Sequence, residues 1–439
     1  MRTKLENPDA DSLMHARREF LKSSVYAMGL SFTLPPETFR IMTNSEKLLF
    51  GTPLAADKSI IGGYGTWAAS LLKPVPLLSF RDTKRVNVQT WKQEARAKAQ
   101  ECLAAPERPK TLPEVTIDKK YTYDGLDIEE ISWQLPYGRR TSAVVLKRAG
   151  STGRLPAILA LHDHGGKKYF GYRKIVKTGP DQHPLLKEHQ DSDYSGRAWA
   201  NEIAKRGYVV MVHDTFTFGS RRVLYEDVAG LDYGPLNVTN KTDADPEKPE
   251  NIEIYNEWAS NHEHVMSKSL FCAGTSWPGV FLAEDQSALD ILSRRKDVKP
   301  DQIGCGGLSG GGLRTVYLAG IDDRIRCAVC VGFMTTWKDL IMAKSFTHTW
   351  MTFTPNLPNF LDFPEILGLR VPLPTLVQNN NQDELYTLSE MVKADQILKD
   401  VYAKAGAADR YASQFYDGRH KFDADMQQDA FGWFDKWLM

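Results

Sequence analysis

From residue 115 the chain reads as strands, then as strands alternating with helices. Residues 115–123, 127–135 and 141–147 alternate apolar with polar positions, separated by Asp124-Gly125 and Pro136-Tyr137-Gly138. That alternation with turn residues between predicts three short strands opening a sheet in antiparallel fashion. Residues 155–161 (LPAILAL) and 208–212 (YVVMV) are apolar without a break, as expected of strands covered on both faces. Helical periods follow at 199–206, 283–295, 389–404 and 425–438, and in the last Met426, Ala430, Trp433, Phe434 and Trp437 recur near helical spacing. Residues 324–333 and 375–378 are further strands. The pattern predicts an α/β chain: a three-layer sandwich with a mostly parallel sheet of about eight strands, its ligand crevice at their C-terminal ends.

Residues 37–114 are mixed, with one helical stretch at 91–104 that prolines break over 106–113. They predict a helical arm ahead of a catalytic domain at 115–439. Two stretches of that domain, about 221–270 and 334–371, are expected as insertions, the polar run 221–249 being loop. The first 36 residues stand apart. Arg17-Arg18-Glu19-Phe20-Leu21-Lys22 precedes a modest apolar run at 25–34 and then Pro35-Pro36. The run is too short to cross a membrane, which takes about 20 apolar residues. It resembles a twin-arginine export signal, which places the protein in the periplasm or outside the cell. An amphipathic N-terminal helix is the other reading, since no A-x-A cleavage site follows. No other segment is long and apolar enough to span a membrane, so no span is expected in the mature protein.

Charge adds one exclusion. Lys+Arg 55 balance Asp+Glu 55, so no basic footprint points to nucleic acid as a partner. The five cysteines are odd in number and sit mostly in apolar runs, so no disulfide scaffold is implied. Cys327 and Cys330 match C-x-x-C, but the alternation around them favours a structural place in a buried strand over redox chemistry.

Chemistry enters at Gly307-Leu308-Ser309-Gly310-Gly311, a G-x-S-x-G pattern with a short apolar strand before it and a helix-compatible run after it. Strand, serine turn and helix make a nucleophile elbow, in which the turn strains the serine backbone and exposes its hydroxyl. A dinucleotide-binding turn would need G-x-G-x-x-G and a distant acid, which the chain lacks here. A serine needs a base, and the base an orienting acid; around such an elbow the chain order is serine, acid, histidine. Of ten histidines only His348 and His420 follow Ser309. The acid belongs just beyond the strand 375–378, and His348 precedes that loop, leaving His420 as base. Asp362 fails on order. Asp383 and Glu384 both lie in the loop, and position favours Asp383. The oxyanion donors are expected as the Gly310 N–H and one from His162-Asp163-His164-Gly165-Gly166, with His164 lending its N–H. Adjacent residues on a tight turn rarely converge on one ion, so no metal site is expected there; nor at His262-Glu263-His264, which lacks H-E-x-x-H spacing.

These segments carry a resemblance. LALHDHGG, IGCGGLSGGG, QDELYT and GRHKFDADMQQDAFGWFDKWL are similar to the corresponding stretches of the α/β-hydrolase superfamily. Within it they resemble bacterial dienelactone-hydrolase-like and acetyl-xylan-esterase-like esterases, over roughly the last three quarters of the chain. The resemblance implies an α/β-hydrolase fold with Ser309 as nucleophile, Asp383 as acid and His420 as base, and no cofactor. Serine at the elbow, where dienelactone hydrolases have cysteine, counts against that reaction. His162-Asp163-His164 departs from the family's HGGG loop, which leaves the second oxyanion donor open.

The expected function is a serine esterase with a small-molecule or carbohydrate ester as substrate. Its rivals are a serine peptidase of prolyl-oligopeptidase type, which the lack of a propeller-length repeat region disfavours, and a non-catalytic hydrolase fold used for binding. For the substrate, Asp214 and Arg221 follow a strand end; they either bind a polar group or pair with each other. Trp337 and Trp350 lie in a candidate lid, suited either to stacking on sugar rings or to packing.

Overall fold

The computed structural model describes residues 58–244 and 247–439. The export-signal reading of 1–36 and the start of the arm lie outside the described residues. The alternating stretches form β1 (Val115–Tyr123), β2 (Leu126–Trp133) and β3 (Thr141–Arg148), paired antiparallel. Asp124 and Gly125 turn β1 into β2 with φ of 51° and 73°, the two left-handed residues that a tight hairpin of the right twist requires.

The apolar runs form β4 (Leu155–Ala160) and β5 (Val209–His213), followed by β6 (Val298–Leu308), β7 (Ile325–Val331), β8 (Thr375–Asn380) and β9 (Tyr411–Tyr416). The sheet order is β1-β2-β3-β5-β4-β6-β7-β8-β9, antiparallel as far as the β3–β5 pair and parallel from there on. Nine strands stand where about eight were expected. The additional one is β9, an edge strand whose residues after Tyr411 are all half-buried, so its sequence shows neither alternation nor an apolar run.

Nine helices matter for the architecture: α1 (Val88–Leu103), α2 (Pro184–Asp193), α3 (Trp199–Lys205), α4 (Pro249–Cys272), α5 (Trp277–Ser293), α6 (Gly310–Ile321), α7 (Phe363–Gly368), α8 (Leu388–Lys404) and α9 (Ala424–Leu438). Successive strand residues face opposite layers. Ala157 and Leu159 join a core with α1, α5, α6, α7 and α8, while Ile158 and Ala160 join one with α3 and α9. These are the three layers. Cys330 belongs to the first core and Cys327 to the second, so the two free thiols point away from each other.

The arm helix α1 is not separate from the sheet domain. Asn87 caps it by accepting from the Gln89 and Thr90 amides, and Trp91, Ala95, Ala99 and Leu103 enter the first core. Of the stretch expected as the first insertion, residues 221–244 are loop and short helical turns, and Ile252, Tyr255, Trp258 and Ala259 of α4 build a third core with Tyr169 and Phe170. Among the described residues no helix is long and apolar enough to cross a membrane.

Candidate active site

Ser309 sits between β6 and α6 at φ 56° and ψ −117°. A non-glycine residue there carries strain of about 1–3 kcal/mol, which the surroundings must impose. They do so through the backbone: the Ser309 N–H donates to the Val331 carbonyl at 2.9 Å, and its own carbonyl starts α6 by accepting from Leu313 at 2.9 Å. Gly307 and Gly311 let the elbow touch the end of β4, since a Cβ at either would lie 2.1 Å from the Leu161 carbonyl oxygen. Deeper in α6, Arg314 is buried against Asp285 of α5 and donates to His213 at 3.0 Å, which ties the elbow helix to its neighbours.

The loop after β4 lies against the start of α6. A Cβ on Gly310 would be 2.9 Å from the His164 amide nitrogen, so the Gly310 and His164 N–H groups are close neighbours. Among the described residues neither donates to a protein acceptor. The His164 ring is fixed as well: Nδ1 accepts from the Gly166 N–H at 3.0 Å, so Nε2 carries the hydrogen and donates to Glu263 at 2.9 Å. Burial holds the His164 pKa below its usual value against the pull of Glu263. Burial opposes the charge of Glu263, but the Lys168 ammonium at 2.9 Å and the His164 N–H bring its pKa down to about 2. Glu263 belongs to α4, so the first insertion braces this loop from outside.

His162, Asp163 and His164 diverge. Asp163 accepts from Tyr194 at 2.6 Å and pairs with His189 and Lys174, and Lys174 also donates to the Asp163 and His164 carbonyls. His162 turns to the Asp163 carbonyl at 2.9 Å. Among the described residues no group of three or more His, Cys, Asp and Glu could hold a metal ion.

His420 lies in the turn between β9 and α9. Its Nδ1 is 2.6 Å from Asp383 Oδ2, and Asp383 Oδ1 accepts from the Leu385 amide at 3.0 Å. Asp383 is only 4% exposed. Glu384 is exposed, and Asp362 caps α7 instead. The far nitrogen of His420, Nε2, is buried without a protein partner. Ser309, Gly310, His164 and His420 line one cavity of about 210 Å³. A larger cleft of about 530 Å³ beside Glu101 and Cys102 holds no such set, so volume is no guide to the chemistry here.

The remaining sequence candidates lie elsewhere. Asp214 is buried, accepting from the Tyr172 and Ser220 amides at 2.8 and 2.7 Å. Arg221 pairs with Glu284 at 2.7 Å and donates to the Tyr137 and Arg139 carbonyls. The two do not bond each other, and neither lines the Ser309 cavity. Trp337 is buried, its indole N–H on the Leu361 carbonyl at 3.0 Å. Of the candidate lid, Thr347, His348, Thr349, Met351 and Thr352 line the cavity instead.

Gly332 escaped the sequence reading. It has φ 59°, and a Cβ there would come 2.8 Å from the His420 ring, but a glycine at a strand end gives no sign of that. Glu263 was visible only within a His-Glu-His triplet that offered no helical metal spacing.

No protein-family model matches the chain. A Bacillus subtilis (strain 168) protein, the inferred hydrolase YtaP, is 28% identical over 314 residues, which cover 71% of this chain and 88% of that protein. Among solved structures, an inferred acetyl xylan esterase of Bacteroides fragilis NCTC 9343 superposes with TM-score 0.60 at 19% identity, covering 81% of this chain and 83% of that one. A glucuronoyl esterase from Solibacter usitatus gives TM-score 0.54 at 13% identity over 83% of this chain and 98% of that one. At such identities the likeness shows the fold, and that fold is the α/β-hydrolase fold.

Proposed function

We propose that this α/β-hydrolase-fold chain is a serine carboxylic ester hydrolase that works through an acyl-enzyme. The observation that carries the reading is the His420–Asp383 contact of 2.6 Å with the far imidazole nitrogen left free, on the same cavity as a strained serine. Asp383 holds a hydrogen on Nδ1, which leaves Nε2 as the basic nitrogen. As the Ser309 Oγ–carbon bond forms, Nε2 takes the hydroxyl proton and Asp383 balances the imidazolium. The carbonyl oxygen gains a full negative charge, and the Gly310 and His164 amides are its donors. His420 returns the proton to the departing alkoxide, and water then repeats the sequence on the acyl-serine.

An ester of a carbohydrate is the substrate this reading favours, supported by the esterase structures that share the fold. Turnover of p-nitrophenyl acetate tests the chemistry. Ser309→Ala should lower kcat by at least about a thousandfold and abolish labelling by a fluorophosphonate. Wild-type turnover no faster than the variant, or a label on another residue, would overturn the assignment.

Export belongs to the same reading. Arg17-Arg18-Glu19-Phe20-Leu21-Lys22 supports it, and the test is fractionation: replacing both arginines by lysine should shift the protein from the periplasm or medium to the cytoplasm.

A further inference from the structure

His348 is the histidine that chain order sets aside as a base, yet it lines the same cavity as Ser309 and His420. Its ring packs against two aromatics that also touch each other, 5.4 Å from Phe333 and 4.9 Å from Tyr386, which lie 5.8 Å apart. Tyr386 is in turn held by its hydroxyl on the Gly332 carbonyl at 3.0 Å. Contact with both rings restrains the imidazole on one side, and its Nε2 is buried with no protein partner. Burial brings its pKa down to about 4, with His420 and Lys344 working in the same direction against Asp383. Near neutral pH the ring is therefore uncharged, with one N–H donor and one bare acceptor nitrogen.

The rest of the wall has a matching character. Thr349 and Thr352 bring hydroxyls, the Thr347 hydroxyl already donates to the Lys344 and Leu385 carbonyls, Phe333, Met351 and Leu385 bring apolar surface, and among the described residues no lysine, arginine or carboxylate lines the cavity. A charged substrate group would lose its water without meeting an opposite charge. A pure hydrocarbon would leave the buried Nε2 unpaired. A hydroxyl both donates and accepts, as a neutral imidazole does, and so satisfies either nitrogen. The volume of about 210 Å³ lies below the roughly 300–1,000 Å³ of pockets for drug-sized ligands, which suits one small ring.

We infer that His348 is a substrate-binding residue that selects uncharged, hydroxyl-bearing esters of about one sugar unit over charged or all-hydrocarbon esters of the same size. The inference rests on the serine-esterase reading of Ser309 and narrows its substrate.

Three acetates test it: methyl 3-O-acetyl-β-xylopyranoside, cyclohexyl acetate, and the matching acetate of methyl glucuronopyranoside with its carboxylate free. Wild type should favour the xyloside over each of the others by at least about tenfold in kcat/KM. His348→Phe should erase the preference over cyclohexyl acetate, mainly through a higher KM for the xyloside. His348→Gln, which keeps a donor and an acceptor, should recover much of it. Equal losses on xyloside and cyclohexyl acetate in His348→Phe would make the residue a packing element and overturn the inference, as would a wild type that does not discriminate. A wild type active on p-nitrophenyl acetate but indifferent among the three overturns this inference alone. One inert on p-nitrophenyl acetate overturns the esterase reading and this inference with it.

Discussion

On the proposed reading, the chemistry at Ser309 depends on a carboxylate of α4 that does not line its cavity. Glu263 sits between Lys168 and the His164 ring, both 2.9 Å away, and His164 brings its own amide beside that of Gly310. Glu263→Gln keeps the shape and removes the charge, leaving Lys168 buried without a counter-ion. The expected cost is about 3 kcal/mol of stability, measured by urea unfolding. Because the residue positions a donor and does not meet the substrate, kcat should fall about tenfold while KM holds. A fall in KM-determined binding alone would argue against a role through His164. Gly332 makes a second residue-scale case: Gly332→Ala meets both a left-handed φ of 59° and the His420 ring, so activity should be lost well beyond any loss of fold seen by circular dichroism. At this scale the contact of His420 with Asp383 and the shared cavity of Ser309 and His420 were legible, because chain order constrains the proposed triad. The contacts of Glu263, Gly332 and His348 were not, since they join residues tens of positions or more apart in the chain.

Among elements, α4 has the most unexpected place. Its sequence lies in a stretch that reads as an insertion, yet Tyr255 and Trp258, 3% and 5% exposed, build the third core with Tyr169 and Phe170 just after the loop at 162–166. Trp258→Ala removes a large buried ring and should loosen α4. Hydrogen exchange should then quicken over residues 162–170, with the strands β4 to β8 keeping their protection; an even change across the sheet would mean that the third core is not a separate unit. The strands themselves were readable where both faces are buried or one face alternates. β9 was missed because an edge strand under partial cover shows neither pattern, and although among the described residues it pairs only with β8, it delivers the chain to the His420 turn.

For the molecule as a whole, buried neutral histidines and paired carboxylates set the acid limit of stability. Burial brings His348 and His262 each down to about 4, with His420 and Lys344 facing the first and Lys168 and His264 the second. Both folded-state values lie below the roughly 6.5 of an unfolded histidine. Their contribution is therefore complete above about pH 6.5 and is lost as the pH falls toward 4. Glu263, at about 2 when folded, adds a second window, lost as the pH falls from the ordinary carboxylate range toward 2. Thermal melts from pH 8 to pH 3 should be level at the top and fall in these two stages, and His348→Phe should flatten the first. A melting temperature that rises below pH 6.5 would contradict the assignment of neutral buried rings.

The amino-acid sequence alone determined the α/β alternation, the serine turn between β6 and α6, and the chain order of Ser309, Asp383 and His420. Hydrophobic period and turn chemistry are local, and the proposed triad follows the order of the strands β6, β8 and β9 that precede its members. Tertiary structure alone decided which side chains share the Ser309 cavity. It removed Asp214, Arg221 and Trp337 to buried scaffold positions, separated Asp383 from exposed Glu384, and brought in His348 from beyond β7. Burial, charge pairing and close approach depend on residues distant in the chain, and no local pattern encodes who those neighbours will be.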